Sequence, residues 1–102
     1  MATVRVSENI QDKAVTISIT GRFDFGTHKE FRSAYQDLNG AFSSYIVNMK
    51  DVEYIDSSAL GMLLLLLEHG KSCGGKVVIA GCNPDIARIL KIANFHKLFD
   101  IQ

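Results

Sequence analysis

The order of apolar patterns predicts an α/β fold: one domain with a mixed, mainly parallel sheet, an antiparallel hairpin at its N-terminus and about three helices covering it. Three observations carry this prediction. Two segments of alternating apolar and polar residues open the chain with only a short polar connection between them. Helical stripes and β-rich runs then alternate to the end, the pattern of strands joined by crossover helices. At 102 residues and 47% apolar composition, the chain has the length and core of a single domain, residues 1–102.

Each element has its own signal. From Thr3 to Ile10, Val4 and Val6 alternate with Arg5 and Ser7, and from Ala14 to Thr20, Val15, Ile17 and Ile19 alternate with Thr16, Ser18 and Thr20. Both segments read as half-buried strands, joined by the polar Asn9–Lys13 connection of a hairpin. Gly21 is expected to end the second strand, with Arg22 to Gly26 as a loop. Thr27 as N-cap with Glu30 three residues on gives a capping-box pattern, and a helix is expected from about His28 to Leu38. Phe31, Ala34, Tyr35 and Leu38 form its apolar stripe, and Asn39-Gly40 stops it.

Ser44 to Met49 is a third strand around Tyr45-Ile46-Val47, and Lys50 to Ile55 leads from it into Asp56-Ser57-Ser58. A helix from Ser57 to about Ser72 follows, ended by Gly74-Gly75. Val77-Val78-Ile79, within Lys76–Ala80, reads as a strand buried on both faces. Asn83 caps a last helix with Pro84 in its first turn and an apolar stripe of Ile86, Ile89, Leu90 and Ala93. Helix ends near Asn94, and Phe95, Leu98, Phe99 and Ile101 then bring an apolar tail back to the core as an edge strand.

Eleven basic residues balance eleven acidic ones, so no electrostatic field draws nucleic acid or an anionic membrane. The N-terminus lacks a basic-then-apolar signal segment, and the apolar run Ala59–Leu67 falls far short of the roughly 20 residues that span a bilayer. A cytoplasmic address is the expectation. Cys73 and Cys82 have neither CxxC spacing nor a histidine cluster, which argues against a metal site and, in a reducing compartment, against a disulfide; both read as small, buried or half-buried thiols. Gly70-Lys71-Ser72 lacks the earlier glycine of a phosphate-binding loop, since Leu65 stands there. Ser57 and Ser58 are not in a G-x-S-x-G elbow, so a serine hydrolase lacks its signature. His28, His69 and His96 are isolated and read as solvated or partner-facing.

The chemically informative stretch is Asp56-Ser57-Ser58 at the junction of the third strand and the second helix. Exposed N–H groups and the positive end of the macrodipole make such a helix mouth favourable for a phosphate. Helix capping by Asp or Ser is the plain alternative. The helix that follows is apolar all round. Either neighbouring helices cover its flanks, or some of Met62, Leu63 and Leu66 form an exposed apolar patch for a partner.

Two motifs give the chain a family likeness. Ile19-Thr20-Gly21-Arg22-Phe23-Asp24 is similar to an apolar-x-G-x-hydrophobic-D loop, and Val52 to Gly61 is similar to an aromatic-hydrophobic-D-S-[ST]-G-L-G turn. With the matching element order, the sequence resembles the STAS domain family, and within it the stand-alone bacterial anti-sigma factor antagonists. One departure is that Ala59 stands where the family usually has Gly, and Ala is the better helix former.

The resemblance implies a non-enzymatic partner-switching regulator without cofactor. Ser57 is then the phosphorylated residue, with Ser58 as the alternative, and Asp56 orients or tunes the hydroxyl. Asp24, Phe25, Asp56, Ser57, Ser58, Met62 and Leu63 make the partner face. The implied partners are an anti-sigma factor or serine kinase and a PP2C-type phosphatase, including one joined to a response regulator; a diguanylate cyclase is a further implied partner. A constitutive scaffold or ligand-binding module is the alternative reading.

Overall fold

The structure, a computed structural model, describes residues 3–38 and 42–102. Its strands are β1 (Thr3–Asn9), β2 (Ala14–Phe23), β3 (Ser44–Ile55), β4 (Lys76–Ala80) and β5 (Asp100–Ile101). Between them run α1 (His28–Gln36), α2 (Ser57–Ser72) and α3 (Pro84–Ile92), with short 3-10 turns at Phe25–Thr27 and Phe95–Lys97. The five strands form one sheet in the order β1-β2-β3-β4-β5, with β1 antiparallel to β2 and all other pairs parallel. The expected α/β architecture is therefore present, including the closing edge strand.

The strand order never reverses, so successive right-handed crossovers place their helices on the same side of the sheet. The core follows that rule. Val15, Ile17 and Ile19 of β2, Tyr45, Val47 and Met49 of β3, and Val77 and Ile79 of β4 share one face and pack with Phe31, Tyr35, Leu63, Leu66, Ile86 and Leu90 from the helices. Val78 points the other way and lies outside this cluster, although it is buried.

Several boundaries differ from expectation for identifiable reasons. Gly21 does not end β2, which continues to Phe23. The register against β3 shifts between Ser18 and Thr20 and again between Gly21 and Arg22, and Gly21 takes φ 89°, a bulge conformation suited to glycine. β3 likewise runs to Ile55 instead of stopping at Met49. β1 is less buried than its alternation suggests: Val4 packs on the core, but Val6 is 41% exposed because the strand lies at the sheet edge. α1 ends at Gln36, two residues short of Leu38, and the stop at Asn39-Gly40 lies outside the described residues.

The remaining caps follow the sequence. Asn83 Oδ1 accepts from Ile86 N at 2.8 Å ahead of Pro84, and α2 ends before Gly74 at φ 75°. Gly75 is needed for space: a Cβ there would meet Phe42 O at 2.5 Å and Tyr45 Cε1 at 3.1 Å. Gly75→Ala is therefore expected to destabilise the domain by about 1–3 kcal/mol through overpacking, measured by urea unfolding.

Tyr35 and Tyr45 are buried beside His69, with ring centroids 4.9 and 5.7 Å from its imidazole. His69 thus packs at the core margin, where a solvated or partner-facing ring was expected. Burial pushes both phenols above their ordinary 10.0, and the Cys73 thiol adds to the effect at Tyr45. A raised acid pKa means that the fold favours the protonated phenol, so this stabilisation is complete below pH 10.0 and lost as pH rises through the higher folded value. Alkaline unfolding followed by tyrosinate absorbance is expected to shift to higher pH in Tyr45→Phe; an unchanged midpoint would count against that origin.

Candidate functional site

The site lies at the carboxyl ends of β2 and β3, where both strands turn into helices. β2 delivers Phe23 to the core and leaves Asp24 at the start of the first 3-10 turn. Asp24 Oδ1 accepts from Gly26 N at 3.0 Å, and Asp24 N donates to Thr27 Oγ1 at 3.4 Å. The capping box is therefore Asp24 with Thr27, not Thr27 with Glu30. Thr27 is 2% exposed and its hydroxyl also donates to Arg22 O at 3.2 Å, which turns it inward and away from the α1 N–H groups.

β3 delivers Ile55 to the core and Asp56 to the N-cap of α2. Asp56 Oδ1 accepts from Ala59 N at 3.0 Å, while Oδ2 accepts from Phe25 N at 3.4 Å. The carboxylate thereby ties two loops that are 31 residues apart in sequence. Both carboxylate oxygens thus accept from backbone amides, those of Ala59 and Phe25. Asp56→Ala is expected to lose roughly 0.5–2 kcal/mol of stability, with Asp56→Asn retaining part of it, by chemical denaturation.

Ser57 is the first residue of α2 and is exposed; Ser58 is half-buried. The sixteen-residue helix is ordered behind them by Ala59, Met62, Leu63, Leu66, Leu67 and Gly70, all buried. Leu63 is 0% exposed and belongs to the core, so it cannot contribute contact area to a partner while the domain is folded. Leu66 is equally buried, and Met62 is 7% exposed. The apolar residues that reach solvent are Leu64 and Leu65, at 39% and 55%. Neighbouring elements therefore cover most of the greasy helix, and the patch falls on different leucines from those expected.

Phe25, His28, Ser58, Gly61, Met62 and Leu65 line an open, largely apolar hollow of about 440 Å³, which Ser58 joins to the first turn of α2. Phe25 is 67% exposed and stacks on His28, with centroids 5.1 Å apart and planes 8° from parallel. On the other side of the site, Arg22 lies over the Tyr54 ring at 4.1 Å and pairs with Asp24 at 3.6 Å. His28, Leu65, Arg22 and Tyr54 were missed as site residues. Their signals were present but weak: Phe25 and His28 lie three apart, and register places Arg22 opposite Tyr54.

Cys73 and Cys82 are free and half-buried, and burial pushes the Cys82 thiol up. Among the described residues, no group of three His, Cys, Asp or Glu side chains is arranged to hold a metal ion, and no helix is long and apolar enough to cross a membrane.

A mixed five-stranded sheet with an Asp-capped serine turn after its central strand defines a STAS-type domain. The chain belongs to the STAS domain family, which it matches over residues 2–102. A STAS-domain containing protein of Pseudomonas aeruginosa is 46% identical over 88 residues, covering 86% of this chain and 87% of that protein. The anti-sigma factor antagonist SpoIIAA, solved in its unphosphorylated form, superposes with a TM-score of 0.72 at 17% identity, over 98% of this chain and 87% of that one. The STAS domain of a SulP transporter from Vibrio cholerae also shares the fold, with a TM-score of 0.74 at 22% identity, over 93% of this chain and 76% of that one. At these identities the structural matches show the fold, which antagonists and transporters have in common.

Proposed function

We propose that this STAS domain is a non-enzymatic, phosphorylation-controlled partner switch of the anti-sigma factor antagonist type. The observation that carries the reading is the placement of Ser57: exposed, first in a long helix, and next in the chain to Ser58, which lines an apolar hollow, on a frame tied together by Asp56. Unphosphorylated, the domain offers Phe25, Ser57, Ser58, Met62 and Leu65, with Asp24 and Asp56 behind them, to an anti-sigma factor or serine kinase in the cytoplasm. Phosphorylation adds about −1.5 to −2 charge. The helix N-terminus tolerates that charge, but a complementary apolar interface does not. A PP2C-type phosphatase, including one joined to a response regulator, resets the serine. A diguanylate cyclase is a further candidate for the unphosphorylated domain's target.

Intact-mass analysis after incubation with ATP and a candidate kinase tests the site. The native protein and Ser58→Ala are expected to gain one phosphate each, and Ser57→Ala none. Full modification of Ser57→Ala would overturn the assignment.

A further inference from the structure

We propose that Arg22 is the counter-charge of the switch: its guanidinium turns from Asp24 to the phosphate when Ser57 is phosphorylated. This rests on the phosphoserine reading above and adds a residue to it. Segments 22–28 and 56–58, which make the turns at the start of α2, contain one Arg and no Lys against two carboxylates, Asp24 and Asp56. A dianion placed there meets two carboxylates, and Arg22 is the one permanent cation these segments supply.

The geometry holds Arg22 ready but loosely. Its Nε lies 3.6 Å from Asp24 Oδ2, longer than a hydrogen bond, and its side chain is 56% exposed. The other Asp24 oxygen is already used by Gly26 N, so the turn keeps that cap when the guanidinium leaves. Tyr54, opposite Arg22 in the β2–β3 register, keeps the guanidinium at this end of the sheet by a contact of 4.1 Å that imposes little direction. Tyr54 precedes Ser57 by three residues, and the Phe25 amide next to Asp24 touches Asp56, the neighbour of Ser57. Arginine also pairs with phosphate through parallel N–H donors, a geometry that a loose contact with one carboxylate oxygen does not use.

The test uses the full chain with phosphoserine installed at position 57 during translation, so no kinase is needed. The second ionisation of the phosphate, near pH 6 for a free phosphoserine, is followed by phosphorus NMR. The charged and titratable groups around it are Arg22, Asp24, Asp56, His28 and Tyr54. Arg22→Gln is expected to raise the midpoint by about half a pH unit, roughly threefold in the proton affinity. Arg22→Lys is expected to restore part of the difference, because it keeps the charge but loses the fork. His28 stacks on Phe25 at the same turn, so the comparison is repeated in His28→Gln, where the Arg22 effect should persist. An Arg22→Gln midpoint equal to the native one, or an effect that disappears with His28, would overturn the proposal. The switch reading fails by different results: a Ser57 that the kinase leaves unmodified, or a partner that holds the phosphorylated domain as tightly as the unmodified one.

Discussion

Ser57→Asp is expected to weaken capture of the partner at least about tenfold, or about 1.4 kcal/mol, while Ser57→Ala binds like the native domain. The carboxylate supplies one negative charge where phosphate supplies nearly two, so the substitution sets a lower bound on the effect of phosphorylation. Its site is exposed at the first position of α2, one residue before Ser58, which lines the apolar hollow with Phe25, Met62 and Leu65. A partner covering that hollow must strip water from the new charge, a cost that an apolar contact does not offset. Fold stability should move in a different way. Negative charge at a helix N-terminus contributes about 0.3–1 kcal/mol, partly offset here by Asp56, so the denaturation midpoint of Ser57→Asp should stay near the native value. Isothermal titration with the purified partner and urea unfolding of the same samples separate the two effects. Equal affinities for Ser57→Asp and Ser57→Ala would favour a constitutive scaffold over a switch.

The parts of this fold that were legible in the sequence are those with strong local signals. Alternation in Ala14–Thr20 named the core face of β2, Asn83-Pro84 named the start of α3, and Gly74-Gly75 marked the end of α2. Asp56-Ser57-Ser58 was recognisable as a helix mouth because an N-cap is written in three or four adjacent residues. The misreadings have a common cause, which is that tertiary pairing decided between locally equal options. Gly21 looks like a strand end, yet pairing with β3 carries the strand through it as a bulge. Thr27 looks like a cap, yet Asp24 captures its hydroxyl from the turn before. The Asp56–Phe25 tie was invisible because it joins loops that only the sheet brings together. The opening hairpin was read correctly, but its alternation could not reveal that β1 lies at an edge.

The leucine run of α2 is where sequence periodicity conveyed least, and it gives the largest expected stability effect. Leu63–Leu67 contains no polar residue to set the phase, so adjacent leucines with opposite roles look alike. Leu63 and Leu66 are 0% exposed in the shared core, whereas Leu65 is 55% exposed on the rim of the hollow. Leu63→Ala removes buried methyl groups and leaves a cavity, a change that costs about 2–5 kcal/mol. For a domain of this length that is a large part of an expected total of about 5–15 kcal/mol, so urea unfolding should show a clearly lowered midpoint. Leu65→Ala should stay within about 1 kcal/mol of native, because most of its side chain is already in water. Partner binding is expected to show the opposite order at temperatures where both variants are folded: Leu65→Ala weakens capture and Leu63→Ala leaves it near native. Such a double dissociation would separate the helix face that holds the domain together from the face offered to the partner. If Leu65→Ala binds like native, the hollow is not part of the interface, and the partner reads Ser57 from the Arg22–Tyr54 side instead.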